Sequence, residues 1–283
     1  MFSTKATFIG LTLLLAPMFA WAESTPYFHE SVVIGLSDYE DFGYDNLLAA
    51  DDDPYLIAAS LSESSAISRV LVDASKKDIL ESIDSMVGDN SRPNRANLIY
   101  VTGHGNMDAL GDHVFIPEED KEHPIGLQRI YLQDIVSALS QSEHQYVIFW
   151  DTCRNNDLRR AWNDAYLLNL PTNVSVLFST SPGTLADDSY PDQQYTVFAE
   201  QLAREIAHNT IDLPTIARTL TEAIEQSTNG RQIPQFIPSP CSYLEDPRLL
   251  EFRASLVQSG AGSWRDLIQI GHRCESSRVK NSG

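Results

Sequence analysis

The chain has 283 residues and carries 20 Lys and Arg against 39 Asp and Glu, a formal net charge of −19. So acidic a protein repels nucleic acid and anionic membranes, which excludes both as partners held by charge. Its three cysteines, an odd number, cannot all pair within one copy.

At the N-terminus, Lys5 precedes an apolar run over residues 8–19, and Ala20 and Ala22 are the small residues of an A-x-A cleavage site. The pattern predicts a signal peptide over residues 1–22, since the run is shorter than the roughly 20 apolar residues that cross a bilayer. The expected mature protein is soluble, has no membrane anchor, and is secreted or periplasmic. About 260 residues remain, enough to bury a core without disulfides. They are expected to form one domain over 23–240 and an irregular extension over 241–283. Cys241 and Cys274 both fall in that extension and are expected to form a disulfide in an oxidising compartment. Cys153 is then the leftover thiol.

Strands are predicted over 31–36, 67–72, 97–103, 145–150 and 173–180, with a short one in "DHVFIP". Helical spacing alternates with them over 53–61, 76–87, "LQDIVSALS", "YTVFAEQLAREIA" and "LPTIARTLTEAIEQS". Asp53 and Pro54 suit the cap and first position of their helix. Several strands are apolar throughout, as strands covered on both faces are, so the fold class is α/β with a mostly parallel sheet. The polar segment 181–194 is read as a long functional loop. The Asn173-Val174-Ser175 sequon falls on a predicted buried strand and is set aside.

Two strands end in reactive groups: "LIYVTGHGN" delivers His104 between Gly103 and Gly105, and "YVIFWDTCRN" delivers Cys153. The carboxyl ends of parallel strands line a common crevice, so both groups should share one edge. A thiol and an imidazole there make a nucleophile and a proton carrier for acyl transfer. Arg154 and a following helix start are expected to lower the thiol pKa.

These motifs resemble the two catalytic motifs of the caspase-like cysteine peptidases, the group of caspases, metacaspases and bacterial relatives, with the histidine about 50 residues before the cysteine. Residues 31–61 resemble the family's first strand, its G-x-S-x-Y loop and its A-x-x-D segment. "GDHVFIPEED" resembles the hairpin after the histidine, and "LFSTSPGTLADD" with "YTVFAEQLAREI" resembles the next strand, pocket loop and helix. The resemblance implies a caspase-like fold, with helices on both faces of the sheet. It implies Cys153 as nucleophile, His104 as general acid/base, and the N–H groups of Gly105 and Cys153 as oxyanion hole, with no third triad residue. It also implies a substrate pocket. Caspases that cut after aspartate have glutamine two before the cysteine. Metacaspases, which cut after Arg or Lys, have aspartate there, as Asp151 is here. They add an aspartate matched by Asp53, beside which Asp51 and Asp52 compete, and a serine replaced here by Thr102. The expected partner is a protein or peptide substrate with a basic residue at the cleavage site.

No cofactor or metal is expected. Calcium activation, known among metacaspases, stays open, since the acidic "PEED" (117–120) and "ADD" (186–188) lack defined ligand spacing. Arg159 and Arg160 are either a self-cleavage site or a charged helix face. Two alternatives stand beside the main reading. One is a legumain- or gingipain-like peptidase of other specificity. The other is a non-catalytic binding module, kept open by the departures at Thr102 and Asn155.

Overall fold

Val32, Val33 and Ile34 follow one another in strand β1 (Phe28–Gly35), and all are fully buried. Alternate side chains of a strand point to opposite faces, so this run requires cover on both sides. The computed structural model describes residues 28–39, 44–62, 67–88, 96–107, 112–115, 129–154, 170–188, 193–207 and 213–239. After β1 come α1 (Asp53–Ser62), β2 (Ile67–Val72), α2 (Lys76–Gly88), β3 (Ala96–Thr102), β4 (Gly105–Met107), β5 (His113–Phe115) and β6 (Ile130–Tyr131). Then follow α3 (Leu132–Leu139), β7 (Gln145–Asp151), β8 (Val174–Phe178), α4 (Val197–Ala207), α5 (Leu213–Ser227) and β9 (Gln235–Ile237).

The main sheet has six strands in the order β2-β1-β3-β7-β8-β9. All neighbours are parallel except β8 and β9. Strands β4, β5 and β6 form a separate antiparallel sheet. One face of the main sheet presents Val32, Ile34, Ile99, Val101, Ile148 and Trp150 to Ile79 and Ile83 of α2 and to Ile135 and Leu139 of α3. The opposite face presents Val33, Leu98, Tyr100, Val147 and Phe149 to α1, α4 and α5. Burying each such side chain contributes roughly 1.5–3 kcal/mol before the entropy of ordering it. The α/β class and two-sided cover agree with the sequence reading.

Parity along the strands places the polar ends. Thr102 has the parity of Leu98 and Tyr100, and Asp151 that of Val147 and Phe149. The two are register partners at the carboxyl ends of β3 and β7. Both therefore lie on the face covered by α1 and α4. Chain order also reverses direction between β1 and β3, and a crevice forms outside the strand ends at such a switch.

Three strands were not legible in the sequence. Strands β4 and β6 have three and two residues, too few for a period to register. Strand β9 lies between Pro234 and Pro238, which reads as loop; it is tolerated because it is a short strand at the sheet edge. Among the described residues no helix is long and apolar enough to cross a membrane.

Candidate active site

His104 is held from three directions. Strand β3 ends at Thr102, and Gly103 turns the backbone with φ +151°, a conformation that favours glycine. A Cβ on Gly103 would meet Tyr39 Oη and Phe115 Cε2, each at 2.8 Å. The His104 N–H donates to Tyr39 Oη at 2.9 Å. Tyr39 and Tyr44 pack against the imidazole, with centroids 4.5 and 5.2 Å away. Nε2 lies 2.8 Å from the carbonyl oxygen of Asp45. A carbonyl only accepts, so Nε2 carries a proton, and in the neutral ring Nδ1 keeps its lone pair. A backbone carbonyl thus orients the histidine, where the sequence reading looked for no third group.

Cys153 stands two residues past the end of β7, half-buried, with its thiol donating to the carbonyl of Ala186 at 3.8 Å. Burial pushes the thiol above its ordinary value, and the charges of Asp151, Asp187 and Asp188 add to that. The expected help from Arg154 is absent. Arg154 is fully buried, with its guanidinium carbon 3.8 Å from the centre of the Phe178 ring. It donates to Thr180 O at 3.0 Å and to Gln235 Oε1 at 2.6 Å. One residue after the cysteine, the side chain turns into the fold and ties the nucleophile loop to β9, so no lowering of the thiol results.

His104 and Cys153 line one crevice, together with Leu47, Thr102, Gly103, Asp151, Thr152, Ala186, Asp187, Asp188 and Thr196. Gly105 lies against Thr152: a Cβ there would come within 2.6 Å of Thr152 Cβ and 2.9 Å of Val114 O. Among the described residues, the crevice wall holds three carboxylates and no lysine or arginine. Asp187 pairs with Arg231 at 2.8 Å, and Asp188 accepts the Leu48 N–H at 2.9 Å. Through that bond the pocket loop grips the loop before α1.

Asp151 in the floor meets Asp53 behind it, the two 4% and 0% exposed. Tyr100 Oη lies 3.1 Å from Asp151 Oδ2 and 3.3 Å from Asp53 Oδ2. Thr196 Oγ1 lies 3.0 and 2.9 Å from the same two atoms. The Thr196 N–H donates to Asp53 Oδ1 at 3.0 Å, and its hydroxyl caps α4 by accepting the Ala199 N–H at 3.1 Å. Burial pushes Asp151 up to about 6. Burial, then the Asp151 charge, pushes Asp53 well up. Asp53 departs from its expected place: it is not in the crevice wall but behind it, its oxygens taken by Thr196 and Tyr100. Nor does its carboxylate cap its own helix.

Tyr39, Tyr100 and Thr196 were missed as site residues. Three signals pointed to them: the tyrosine of the G-x-S-x-Y loop, a tyrosine inside an otherwise apolar strand, and a threonine just before a helix. The sequon at Asn173 is indeed buried, its amide donating to the carbonyls of Leu139, Ser142 and His144. Among the described residues no group of three His, Cys, Asp or Glu is arranged for a metal ion. Cys241, Cys274, Asn155, Arg159, Arg160 and "PEED" lie outside the described residues.

Strand-end thiol and imidazole on a two-sided, mostly parallel sheet define a caspase-like α/β protein. Comparison with known families agrees: the caspase-domain family model matches residues 31–244. The chain belongs to that family, the caspase-like cysteine peptidases, whose substrates are proteins. No curated protein matches it.

Proposed function

We propose that the protein is a cysteine endopeptidase that cleaves after Arg or Lys through a Cys153–His104 dyad. One observation carries the reading. The crevice that holds the thiol and the imidazole also holds Asp151, Asp187 and Asp188 and, among the described residues, is lined by no lysine or arginine. Carboxylates in a partly dry pocket reject acidic side chains and pair with a guanidinium or ammonium. Thr102 and Thr196 add hydroxyl oxygens to the same wall.

In this mechanism His104 Nδ1 takes the thiol proton as the substrate docks. The thiolate sulfur attacks the scissile carbonyl carbon, and its π electrons move to oxygen. The N–H groups of Gly105 and Cys153 receive that oxyanion. His104 returns the proton to the leaving amine, and the C–N bond breaks to leave a thioester. Water, deprotonated by His104, then releases the acid and the thiol. The chemistry calls for no cofactor, and calcium is tested as an activator. The proposal extends to export after loss of residues 1–22, to the secreted or periplasmic space. It includes a C-terminal extension closed by Cys241–Cys274.

A second reading, a non-catalytic binder on the same scaffold, draws on the resting thiol, which is raised and bonded to Ala186 O. A legumain- or gingipain-like specificity is the third. Fluorogenic peptides ending in Arg, Lys, Asp or Asn, assayed with and without calcium beside Cys153→Ala, separate them. Turnover after Arg or Lys that Cys153→Ala abolishes supports the proposal. Turnover after Asp or Asn refutes the pocket assignment, and no turnover of any peptide by folded protein refutes the enzyme.

A further inference from the structure

Two buried carboxylates, Asp151 in the crevice floor and Asp53 behind it, share the same pair of hydroxyls. Oδ2 of Asp53 and Oδ2 of Asp151 together make four close contacts with Tyr100 Oη and Thr196 Oγ1. Each hydroxyl has one hydrogen, so two of the four contacts lack a donor while both acids are ionised. A single added proton leaves only the longest contact, Tyr100 Oη to Asp53 Oδ2 at 3.3 Å, without a hydrogen. Placed on Asp53 Oδ2, it donates to Thr196 Oγ1, the nearest hydroxyl at 2.9 Å. Thr196 then accepts from Asp53 and from the Ala199 N–H and donates to Asp151. Tyr100 accepts from the Thr102 hydroxyl and donates to Asp151. Asp53 Oδ1 keeps the Thr196 N–H. Every hydrogen then has an acceptor, and Asp151 receives both hydroxyl donors.

We propose that Asp53 is a positioning residue which stands protonated behind the pocket and, through Thr196 and Tyr100, holds Asp151 as the single ionised carboxylate of the floor that meets the substrate's basic side chain. The inference rests on the proposed basic specificity. The groups facing Asp151 agree with it. Asp53 on α1, Asp188 and the Arg231-paired Asp187 on the pocket loop and the Cys153 thiol are all anionic or neutral, Tyr100 on β3 is a buried phenol, and His104 after β3 is the other titratable group among the described crevice-lining residues. With no lysine or arginine among the described crevice-lining residues, a second ionised acid beside Asp151 would stand uncompensated. Burial raises Asp53 well above the ordinary carboxyl range and Asp151 only to about 6, the same order of protonation. Recognition of a basic side chain should therefore weaken about tenfold between pH 7 and pH 5, as Asp151 takes up its own proton.

The test separates a neutral donor from a charged contact. Asp53→Ala is expected to raise KM for an arginine-ended peptide at least tenfold with kcat within about threefold. Asp53→Asn keeps an acceptor for the Thr196 N–H and offers an N–H where the acid proton stood, so it restores KM to within threefold of wild type. If Asn is as poor as Ala, Asp53 contributes charge and the proposal is overturned. If kcat and KM worsen together in Ala and the pH profile does not move, Asp53 is only structural, which overturns it equally. A direct readout needs no activity: the ¹³C carboxyl signals of aspartate-labelled full-length protein, assigned by Asp53→Asn. A protonated Asp53 at pH 7 supports the proposal, and an ionised one overturns it even where Asp53→Ala does not fold. Protonated Asp53 in a protein that cleaves only after Asp or Asn keeps the relay and removes the basic-specificity reading.

Discussion

Replacing Asp151 by Asn should stabilise the protein as pH rises, while removing the activity proposed for it. Burial moves the Asp151 carboxyl from its ordinary 3.8 to about 6. The folded protein therefore holds that proton more tightly than the unfolded chain does. Its contribution is fully present below 3.8 and is lost as pH rises through about 6, the reverse of a salt-bridged carboxylate. The interval corresponds to about 3 kcal/mol. Asn has no proton to lose. Its side-chain oxygen still accepts from Tyr100 and Thr196. The stability difference between Asp151→Asn and wild type should grow by about 2.5 kcal/mol from pH 4 to pH 7.5, or roughly 5–10 °C in Tm at this size. Urea unfolding of both proteins at fixed ionic strength reads it, and pH-independent packing terms cancel in the comparison. A difference constant to within about 0.5 kcal/mol across that range would refute the argument that Asp151 is held in an unfavourable environment. Growth of the difference alongside loss of cleavage after Arg and Lys would show stability given up for specificity.

Three further outcomes are expected. Cys153 in the resting protein should alkylate with iodoacetamide at pH 7.5 more slowly than free cysteine, since burial and three nearby carboxylates disfavour its thiolate; a faster rate contradicts the resting geometry. Tyr39→Phe removes the acceptor for the His104 N–H but keeps the ring, and should lower kcat/KM about tenfold, the equivalent of one lost hydrogen bond; unchanged kinetics would show that the aromatic contacts alone seat the histidine. Arg154→Met should destabilise the fold by about 3 kcal/mol or more in chemical denaturation, because Thr180 O and Gln235 Oε1 lose a buried charged donor. A loss below about 1 kcal/mol would mean that the guanidinium is not the link between the nucleophile loop and β9.

What the sequence determined by itself is whatever short-range pattern records. The apolar spacing of residues 213–227 and the run 67–72 reproduce α5 and β2 residue for residue, because a helix stripe and a strand are local periodicities. His104 and Cys153 were legible for the same reason: each follows an apolar strand directly, and strand ends in a parallel sheet converge. The aspartate before the cysteine was legible as well. What those residues touch was not. Asp53, Tyr100, Asp151 and Thr196 come from α1, β3, β7 and the cap of α4, and they meet because β3 pairs with β7 in one register and strand parity turns both polar ends toward the same helices. That juxtaposition put Asp53 behind the pocket rather than in it. Arg154 shows the same limit. Its place beside the thiol in sequence suggested an electrostatic role, but backbone direction past β7 sends it under Phe178 and toward β9, a strand whose flanking prolines read as loop. Local sequence encodes which groups arrive at the sheet edge. Only the packing of distant elements decides which of them share a proton, face the crevice or are buried.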